Sequence, residues 1–267
     1  MNELQAILLG LLQGLTEFLP VSSSGHLIIA KHIFGIETED LSFEIVVHAA
    51  TVLSTIIVFR KELYQLLEGL FKFKYNDRTK YVCMILVSMI PVFIVGMFFK
   101  DYVTDLFGSG LLIVGLALIA TSALLFFSEK VSSKNNEERK QMNYKSAMWM
   151  GLAQAVAVIP GLSRSGATIS AGLMGGVKKE DVAQFSFLMV LIPVLGEAFL
   201  ELICGGFSAS SSSTAVLPLI LGFLAAFASG LFACKVMIAL VKKAKLKWFA
   251  LYCIVVGITC VIWNSCM

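Results

Sequence analysis

The chain has 267 residues, of which 58% are hydrophobic and only 15% are charged, and its mean hydropathy is +0.85. A soluble domain of this size could not bury so much apolar surface in one core, so lipid must cover the remainder. The composition therefore excludes an ordinary soluble enzyme, and the modest net charge of +3 gives no sign of a nucleic-acid partner. It predicts an all-α membrane protein with a single membrane domain over residues 1-267.

In chain order, the first apolar stretch is Leu4–Leu19, which carries polar residues and is broken at Pro20. Three stretches long enough to span a membrane follow, then Met148–Ile159, about a dozen residues that stop at Pro160, and then three more spans. The six spans are Phe43–Phe59, Tyr81–Phe99, Leu111–Phe127, Val182–Ile203, Ala215–Val241 and Trp248–Trp263. The broken stretches are typical of segments that enter and leave on one face. The prediction is about six transmembrane helices plus two re-entrant helical hairpins.

Basic residues cluster at four places and support this layout. The clusters are Arg60–Lys80, Lys130–Lys145, Lys178–Lys179 and Lys242–Lys247. With six spans and two re-entrant hairpins, all four clusters fall on one face, which the positive-inside rule identifies as the cytoplasmic face. Both termini and the stretch Ser208–Thr214 are then expected to be external.

The two broken stretches also repeat each other. A shift of 141 residues aligns Gly10, Gln13, Ser22, Ser24 and Gly25 with Gly151, Gln154, Ser163, Ser165 and Gly166. The halves are about 1-128 and about 146-267, joined by a cytoplasmic linker at about 129-145, and each holds one hairpin and three spans. Because three is odd, the second half enters the membrane from the opposite side, so the internal repeat has inverted topology. Such repeats are known chiefly from transporters, whose sites use half-helix ends that face anions.

Two polar loops, the first loop (residues 17–26) and the second loop (residues 160–168), carry side chains that suit a phosphate group. The first supplies Glu17, Ser22, Ser23, Ser24 and His26, and the second supplies Ser163, Arg164, Ser165 and Thr168. Gly25 and Gly166 are expected to let the backbone turn tightly before a helix, whose free N–H groups attract an anion. Arg164 stays protonated and offers a fork of donors that matches two phosphate oxygens. An arginine within the membrane is costly, so Arg164 is expected to have a function or at least a partner.

Ionisable groups beside the first loop suggest an activated nucleophile. His26 lies three residues from Ser23 and is the expected base for that hydroxyl. Glu17 could orient the histidine or hold a divalent cation that neutralises phosphate charge. Structural alternatives stay open: Glu17 and Arg164 as a plain ion pair, the serines as helix caps, and His26 as an interior histidine.

Other polar residues are assigned supporting roles. Gln13 and Gln154 are expected to brace the loops by hydrogen bonds. Glu44 and His48 lie at i and i+4 on one helix face and are interpreted as structural or interfacial.

Two segments carry a family resemblance. Gln13–His26 reads Gln-Gly-Leu-Thr-Glu-Phe-Leu-Pro-Val-Ser-Ser-Ser-Gly-His, and Pro160–Thr168 reads Pro-Gly-Leu-Ser-Arg-Ser-Gly-Ala-Thr. They resemble the two signature motifs of the integral membrane undecaprenyl-diphosphate phosphatase family, the type associated with bacitracin resistance. The length and the motif spacing are also similar, so the resemblance covers essentially the whole chain.

The resemblance implies removal of the terminal phosphate from a C55 polyprenyl diphosphate, which recycles the cell-wall lipid carrier. It implies a divalent cation (Mg²⁺ or Ca²⁺) and a place in the bacterial cytoplasmic (inner) membrane, with a site open to the outer face. The functional residues carried over are Gln13, Glu17, Ser23, His26, Ser163, Arg164 and Thr168. Many members have Glu where this chain has Gln13, and an amide cannot act as a base or an anionic ligand. A scheme with two carboxylates in the first motif is therefore in doubt for this chain.

Alternatives remain at this stage. A transporter of an anionic solute would also use an inverted repeat with paired loops, but it has no use for Ser23, His26 and Glu17 grouped around one phosphate. A protein that hydrolyses the lipid and also moves it between leaflets stays open. The sequence does not decide between attack by Ser23 and by an activated water, between a monomer and a homodimer, or how strictly the chain length is selected.

Overall fold

The structure is a computed structural model that describes residues 1–36, 42–99, 102, 110–134, 139–203, 215–243 and 245–266. In these ranges it has eleven α-helices and no β-strand, so the all-α prediction is confirmed for the described chain. The helices are α1 (Glu3–Glu17), α2 (Ser23–Ile33), α3 (Ser42–Val58), α4 (Arg60–Phe71), α5 (Asp77–Phe98), α6 (Gly110–Lys134), α7 (Tyr144–Val156), α8 (Arg164–Met174), α9 (Lys179–Ile203), α10 (Val216–Lys243) and α11 (Lys247–Cys266). The expected external stretch Ser208–Thr214 lies outside the described residues.

In the part of the chain that the structure describes, four helices are long and apolar enough to cross a membrane, namely α5, α6, α10 and α11. They correspond to four of the six predicted spans. α3 runs into α4 with a bend of 74°, and the two pass the same test only as a pair, which gives up to 5 spans among the described residues. α9 occupies the place of the remaining predicted span and contains Pro193. A polytopic helical membrane protein is therefore confirmed, whereas a count of six does not follow from helix length and composition.

Close helix contacts organise the bundle. α1 packs along α10, α7 packs along α5, and both short helices, α2 and α8, contact α6. α6 crosses α11 where Gly115 faces Gly257, and a Cβ atom on either glycine would lie 2.8 Å from the carbonyl oxygen of the other. Real Cβ atoms do not come so close, so only glycine permits this approach. The α6–α11 pair is therefore a tight unit beside both short helices.

The core surrounds the short helices, while the long helices face outward with apolar side chains. Phe18, which follows α1, packs edge-on against Phe187 of α9 with ring centroids 6.1 Å apart. α8 is buried from Ser165 to Leu173. In contrast, α5 exposes large apolar side chains such as Phe93, which is 65% exposed. Exposed apolar surface on a long helix is suited to lipid.

Polar caps fix where the helices around the loops begin. Asn2 caps α1, Asn76 caps α5 and Asn143 caps α7, each through a side-chain oxygen that accepts from a backbone N–H. Ser22 and Ser163 cap α2 and α8 in the same manner. Both polar loops therefore end in a serine-capped helix N-terminus within the bundle.

Candidate active site

The two polar loops have the same hydrogen-bond pattern. Ser22 Oγ accepts from the N–H of Gly25 at 3.3 Å, and Ser163 Oγ accepts from the N–H of Gly166 at 3.0 Å. In each loop the cap hydroxyl also approaches the serine hydroxyl two residues later, at 3.4 Å in the first loop and 3.2 Å in the second. The repeated motif thus builds a serine-capped helix N-terminus twice, and each presents free backbone N–H groups to an anion.

The two motif glycines have a role different from the expected tight turn. Helices α2 and α8 begin before them, and the positive φ angles in this region belong to Ser22 (68°) and Gly161 (90°). Gly25 instead permits close packing between the loops, because a Cβ atom there would lie 3.0 Å from the Cα of Gly161. The turn is made elsewhere, and the absence of a side chain at Gly25 lets the loops meet.

Side chains of the second loop contact the first loop directly. Ser165 Oγ donates to the carbonyl oxygen of Leu19 at 3.1 Å. Arg164 Nη2 donates to Glu17 Oε1 at 3.0 Å, and the Arg164 side chain is 28% exposed. The structure therefore brings the arginine of one motif onto the carboxylate of the other.

Glu17 is the centre of the cluster. Its Oε2 accepts from Ser23 Oγ at 2.5 Å and from Gln13 Nε2 at 2.8 Å, while its Oε1 accepts from Arg164. The carboxylate is largely buried, so these partners are screened little by water. A carboxylate in such contact with a hydroxyl is placed to take its proton.

Both ring nitrogens of His26 contact groups other than the Ser23 hydroxyl. Its Nδ1 is 2.7 Å from the Ser22 carbonyl oxygen, and its Nε2 is 2.7 Å from the hydroxyl of Tyr252 on α11. The ring folds back on the carbonyl four residues earlier and faces α11, whereas the Ser23 hydroxyl faces Glu17. The expected Ser23–His26 pair is therefore corrected: the neighbouring base of Ser23 is Glu17.

His48 joins the cluster from α3. Its Nδ1 lies 2.9 Å from Gln13 Nε2 and 3.6 Å from Glu17 Oε2. Gln13 is fully buried and contacts both residues, so it braces Glu17. One turn earlier on α3, Glu44 forms an ion pair with Lys31. The structural interpretation suits Glu44, but His48 belongs to the candidate site.

Hydroxyl groups hold the second loop in place. Thr168 Oγ1 donates to the carbonyl oxygen of Arg164 at 2.8 Å and lies 2.6 Å from Ser186 Oγ on α9. Thr168 is fully buried, so its hydroxyl braces the helical turn that carries Arg164. On the other side, Thr121 Oγ1 of α6 accepts from the N–H of Ser163 at 3.1 Å.

The donor set around Glu17 fits a divalent cation only if the substrate shares it. Within the described ranges, no group of three or more His, Cys, Asp and Glu side chains could hold a metal ion. Glu17 supplies a carboxylate, and Gln13 Oε1 is a buried oxygen without a hydrogen-bond partner. Mg²⁺ is usually bound through one or two carboxylates together with substrate phosphates, and Ca²⁺ also accepts amide oxygens. Glu17 and Gln13 therefore fit such a shared site.

Several site residues carry no motif that would have identified them. Tyr252, Thr121 and Ser186 lie in predicted membrane spans outside both motifs, and each reaches a loop that is distant along the chain. His48 did carry a signal, because an ionisable residue within a predicted span is a functional candidate by default.

Known proteins match this chain over nearly its whole length. The family model described as bacitracin resistance protein BacA matches residues 6–259. A Bacteroides fragilis protein named undecaprenyl-diphosphatase is 54% identical over 266 residues, which cover 98% of this chain and 98% of its own. Proteins of that name from Parabacteroides distasonis and Carboxydothermus hydrogenoformans are 54% and 37% identical, over 97% of this chain in both cases and 97% and 96% of their own. The chain therefore belongs to the BacA bacitracin-resistance family.

Proposed function

We propose that this protein is an undecaprenyl-diphosphate phosphatase, which hydrolyses the C55 diphosphate to the monophosphate and inorganic phosphate and so recycles the cell-wall lipid carrier. Relatives that match nearly the whole chain bear the name undecaprenyl-diphosphatase. The observation that carries the proposal is the 2.5 Å contact between Ser23 Oγ and Glu17 Oε2, with Arg164 on the other carboxylate oxygen. A hydroxyl, a base and a phosphate-binding guanidinium thus lie in one cluster.

In the proposed reaction, Ser23 attacks the terminal phosphate. Glu17 takes the hydroxyl proton as Ser23 Oγ forms a bond to the terminal phosphorus. The bond between that phosphorus and the bridging oxygen breaks, and undecaprenyl monophosphate leaves with that oxygen. Water then hydrolyses the phosphoserine and releases inorganic phosphate. If Ser23 only positions a water molecule, Glu17 accepts the water proton instead and no phosphoserine forms.

The remaining loop groups hold the diphosphate. Arg164 has five N–H donors, so it can bind phosphate oxygens with donors that Glu17 does not occupy. The N-termini of α2 and α8 add backbone N–H groups and the positive ends of two helix dipoles. The substrate-binding set is Gln13, Ser22, Ser24, Gly25, Ser163, Ser165, Gly166 and Thr168, in which Gln13 and Thr168 act by bracing the residues that touch phosphate.

A divalent cation, Mg²⁺ or Ca²⁺, is part of the proposal. Glu17 and the unpartnered Gln13 Oε1 would hold it together with oxygens of the diphosphate. The ion would supply neutralisation of phosphate charge. This arrangement needs only one protein carboxylate, which suits a chain that has Gln13 in place of a second one.

The proposed membrane arrangement has six spans and two re-entrant hairpins in two inverted halves. α2 and α8 have 11 residues each and begin 141 positions apart. Gly115 and Gly257, which are 142 positions apart, face each other across α6 and α11. Mutual contact between equivalent positions is what a two-fold axis between inverted halves produces. The bent α3–α4 pair and α9 supply the two spans beyond α5, α6, α10 and α11.

The proposed location is the bacterial cytoplasmic membrane, with the site open to its outer face. Basic residues at Arg60–Lys80 and Lys130–Lys145 support a cytoplasmic position for those segments. The lipid tail would remain among the exposed apolar side chains of the long helices, while the diphosphate enters between the loops.

The test is phosphate release from undecaprenyl diphosphate by the purified protein in detergent, with Mg²⁺ and with a chelator. Wild-type protein should release phosphate only with the cation. Arg164→Ala should lower the rate by roughly 10²- to 10³-fold, because a charged donor aimed at the transferred phosphate is lost. Arg60→Ala, at the start of α4, serves as the matched control and should keep the wild-type rate. Absence of release by folded wild-type protein would contradict the proposal and favour a transporter of phosphorylated lipid.

A further inference from the structure

The hydrogen bonds of His26 leave one ring nitrogen for proton exchange. Nδ1 lies 2.7 Å from the Ser22 carbonyl oxygen, and a carbonyl oxygen can only accept. Nδ1 therefore carries a hydrogen in every state that keeps this bond. A proton can be gained or lost only at Nε2.

Tyr252 covers that nitrogen. Its hydroxyl lies 2.7 Å from Nε2, and the two rings are nearly parallel, with an interplanar angle of 9° and centroids 5.5 Å apart. His26 is 7% exposed, whereas Tyr252 is 45% exposed. The tyrosine ring thus stands between the buried imidazole and the outer surface of α11.

α11 contacts the first loop at a second, adjacent point. Cys253 Sγ lies 3.6 Å from the carbonyl oxygen of Pro20, to which it can donate. Cys253 is fully buried, so this contact fixes the register of α11 against the loop. The place of the Tyr252 hydroxyl relative to His26 is therefore set by backbone packing and not by the tyrosine side chain alone.

We propose that Tyr252 is a positioning residue for the reaction: it keeps His26 in one orientation, and His26 in turn holds the carbonyl oxygen of Ser22, the residue that caps α2. A phenol hydroxyl both donates and accepts. It donates to Nε2 when the imidazole is neutral, and it accepts from Nε2–H when the imidazole is protonated. The same contact can therefore hold His26 through both states without a movement of either ring, which phenylalanine cannot do. The effect on turnover rests on the proposed function, whereas the hydrogen bond itself does not.

The test combines kinetics with ¹⁵N NMR of Tyr252→Phe, a change that keeps the aromatic ring and removes only the hydroxyl. kcat should fall about tenfold, as expected for loss of one neutral hydrogen bond that acts on the reaction. KM should change little, because the tyrosine hydroxyl bonds the histidine and not the substrate. Tyr64→Phe, at an exposed position on α4, is the matched control and should leave both values unchanged.

The ¹⁵N signals of the histidine rings can be told apart because the chain has only 3 histidines. In wild-type protein the Nε2 signal of His26 should have the chemical shift of a hydrogen-bonded nitrogen, and in Tyr252→Phe it should move while the signals of His32 and His48 stay in place. An unchanged Nε2 signal, or an unchanged kcat in folded Tyr252→Phe, would overturn the proposal. If wild-type protein releases no phosphate, the proposed function fails, and the wild-type Nε2 signal still decides whether the pair exists.

Discussion

The first loop and the second loop begin a helix with the same serine cap, but they differ in charge and in backbone conformation. The first carries Glu17 and His26, whereas Arg164 is the charged residue of the second. Ser22 caps its helix with φ of 68°, and Ser163 does so with φ of −68°. A strained backbone, a carboxylate and an imidazole thus lie on one side, and a guanidinium lies on the other. In the proposed function, the two similar turns therefore take different parts in the reaction.

The residues that contact the two loops from other helices also differ in chemical type. Tyr252 and His48 reach the first loop and its glutamate from α11 and α3, and both carry rings with hydrogen-bonding atoms. Thr121 and Ser186 reach the second loop from α6 and α9 through hydroxyls. The first loop is therefore surrounded by groups that can orient or exchange protons, while the neighbours of the second loop fix its geometry.

Glu17→Gln should have the largest effect, because it removes the base while it keeps the size of the side chain. We expect kcat to fall by about 10³-fold, within the range for loss of general base catalysis. Initial rates of phosphate release measure it. Glu44→Gln is the control, since Glu44 pairs with Lys31, and it should stay close to the wild-type rate. A near-normal rate for Glu17→Gln would show that Glu17 is not the base of the reaction.

Arg164→Lys should have the next largest effect. Lysine keeps the charge but lacks the planar fork that binds two oxygens, so the rate should fall by about 10²-fold. The same rate assay tests this, with Arg60→Lys as the control. Full activity of Arg164→Lys would show that a positive charge at this position is enough for turnover. The reaction would then not need the two parallel N–H donors of a guanidinium.

Gly115→Ala should lower the free energy of unfolding by about 1 to 3 kcal/mol, because the new methyl group would collide with α11. Gly96 is the matched control: it lies in α5 with no atom within 4 Å of an added Cβ, so Gly96→Ala should be neutral or stabilising. Thermal unfolding in detergent compares the two variants. Equal stability would show that the α6–α11 crossing beside both loops is not tight.

The smallest expected effect is a difference in stability between variants of the two helix-capping serines. Ser163→Gly should lower the free energy of unfolding by a few tenths of a kcal/mol, about the usual cost of this cap replacement. Ser22→Gly removes an equivalent cap but also relieves a positive φ, so it should cost less or stabilise. The same unfolding measurement detects the difference. A greater loss of stability for Ser22→Gly than for Ser163→Gly would contradict the conformational contrast between the loops.

Much of the local structure follows from the sequence because it depends on neighbouring residues. Serine caps before short helices, the breaks at Pro20 and Pro160 and the long apolar helices all reflect local propensity. The sequence also places Glu17 and Arg164 among the candidate site residues, and they meet at 3.0 Å. Their types already indicate a functional site, since a carboxylate and a guanidinium within apolar segments are costly without partners.

The partners of His26 could not be predicted in the same way. Its ring turns toward Tyr252, 226 positions away, because helix packing places α11 beside the first loop. A single tyrosine on an apolar helix gives no signal of such a contact. The packing role of Gly25 also depends on which segments approach it and not on the residues next to it in sequence. The contacts of His48 depend on the approach of α3 to α1, although its ionisable side chain within a predicted span was a signal.

The most direct test of the central claim is the rate of phosphate release from undecaprenyl diphosphate by purified Ser23→Ala, beside wild-type protein and the exposed control Ser265→Ala. If Ser23 is the nucleophile activated by Glu17, the rate for Ser23→Ala should fall by at least about 10²-fold, while Ser265→Ala should match wild type. A near-normal rate for Ser23→Ala would contradict the account and leave the contact between Ser23 and Glu17 a structural one.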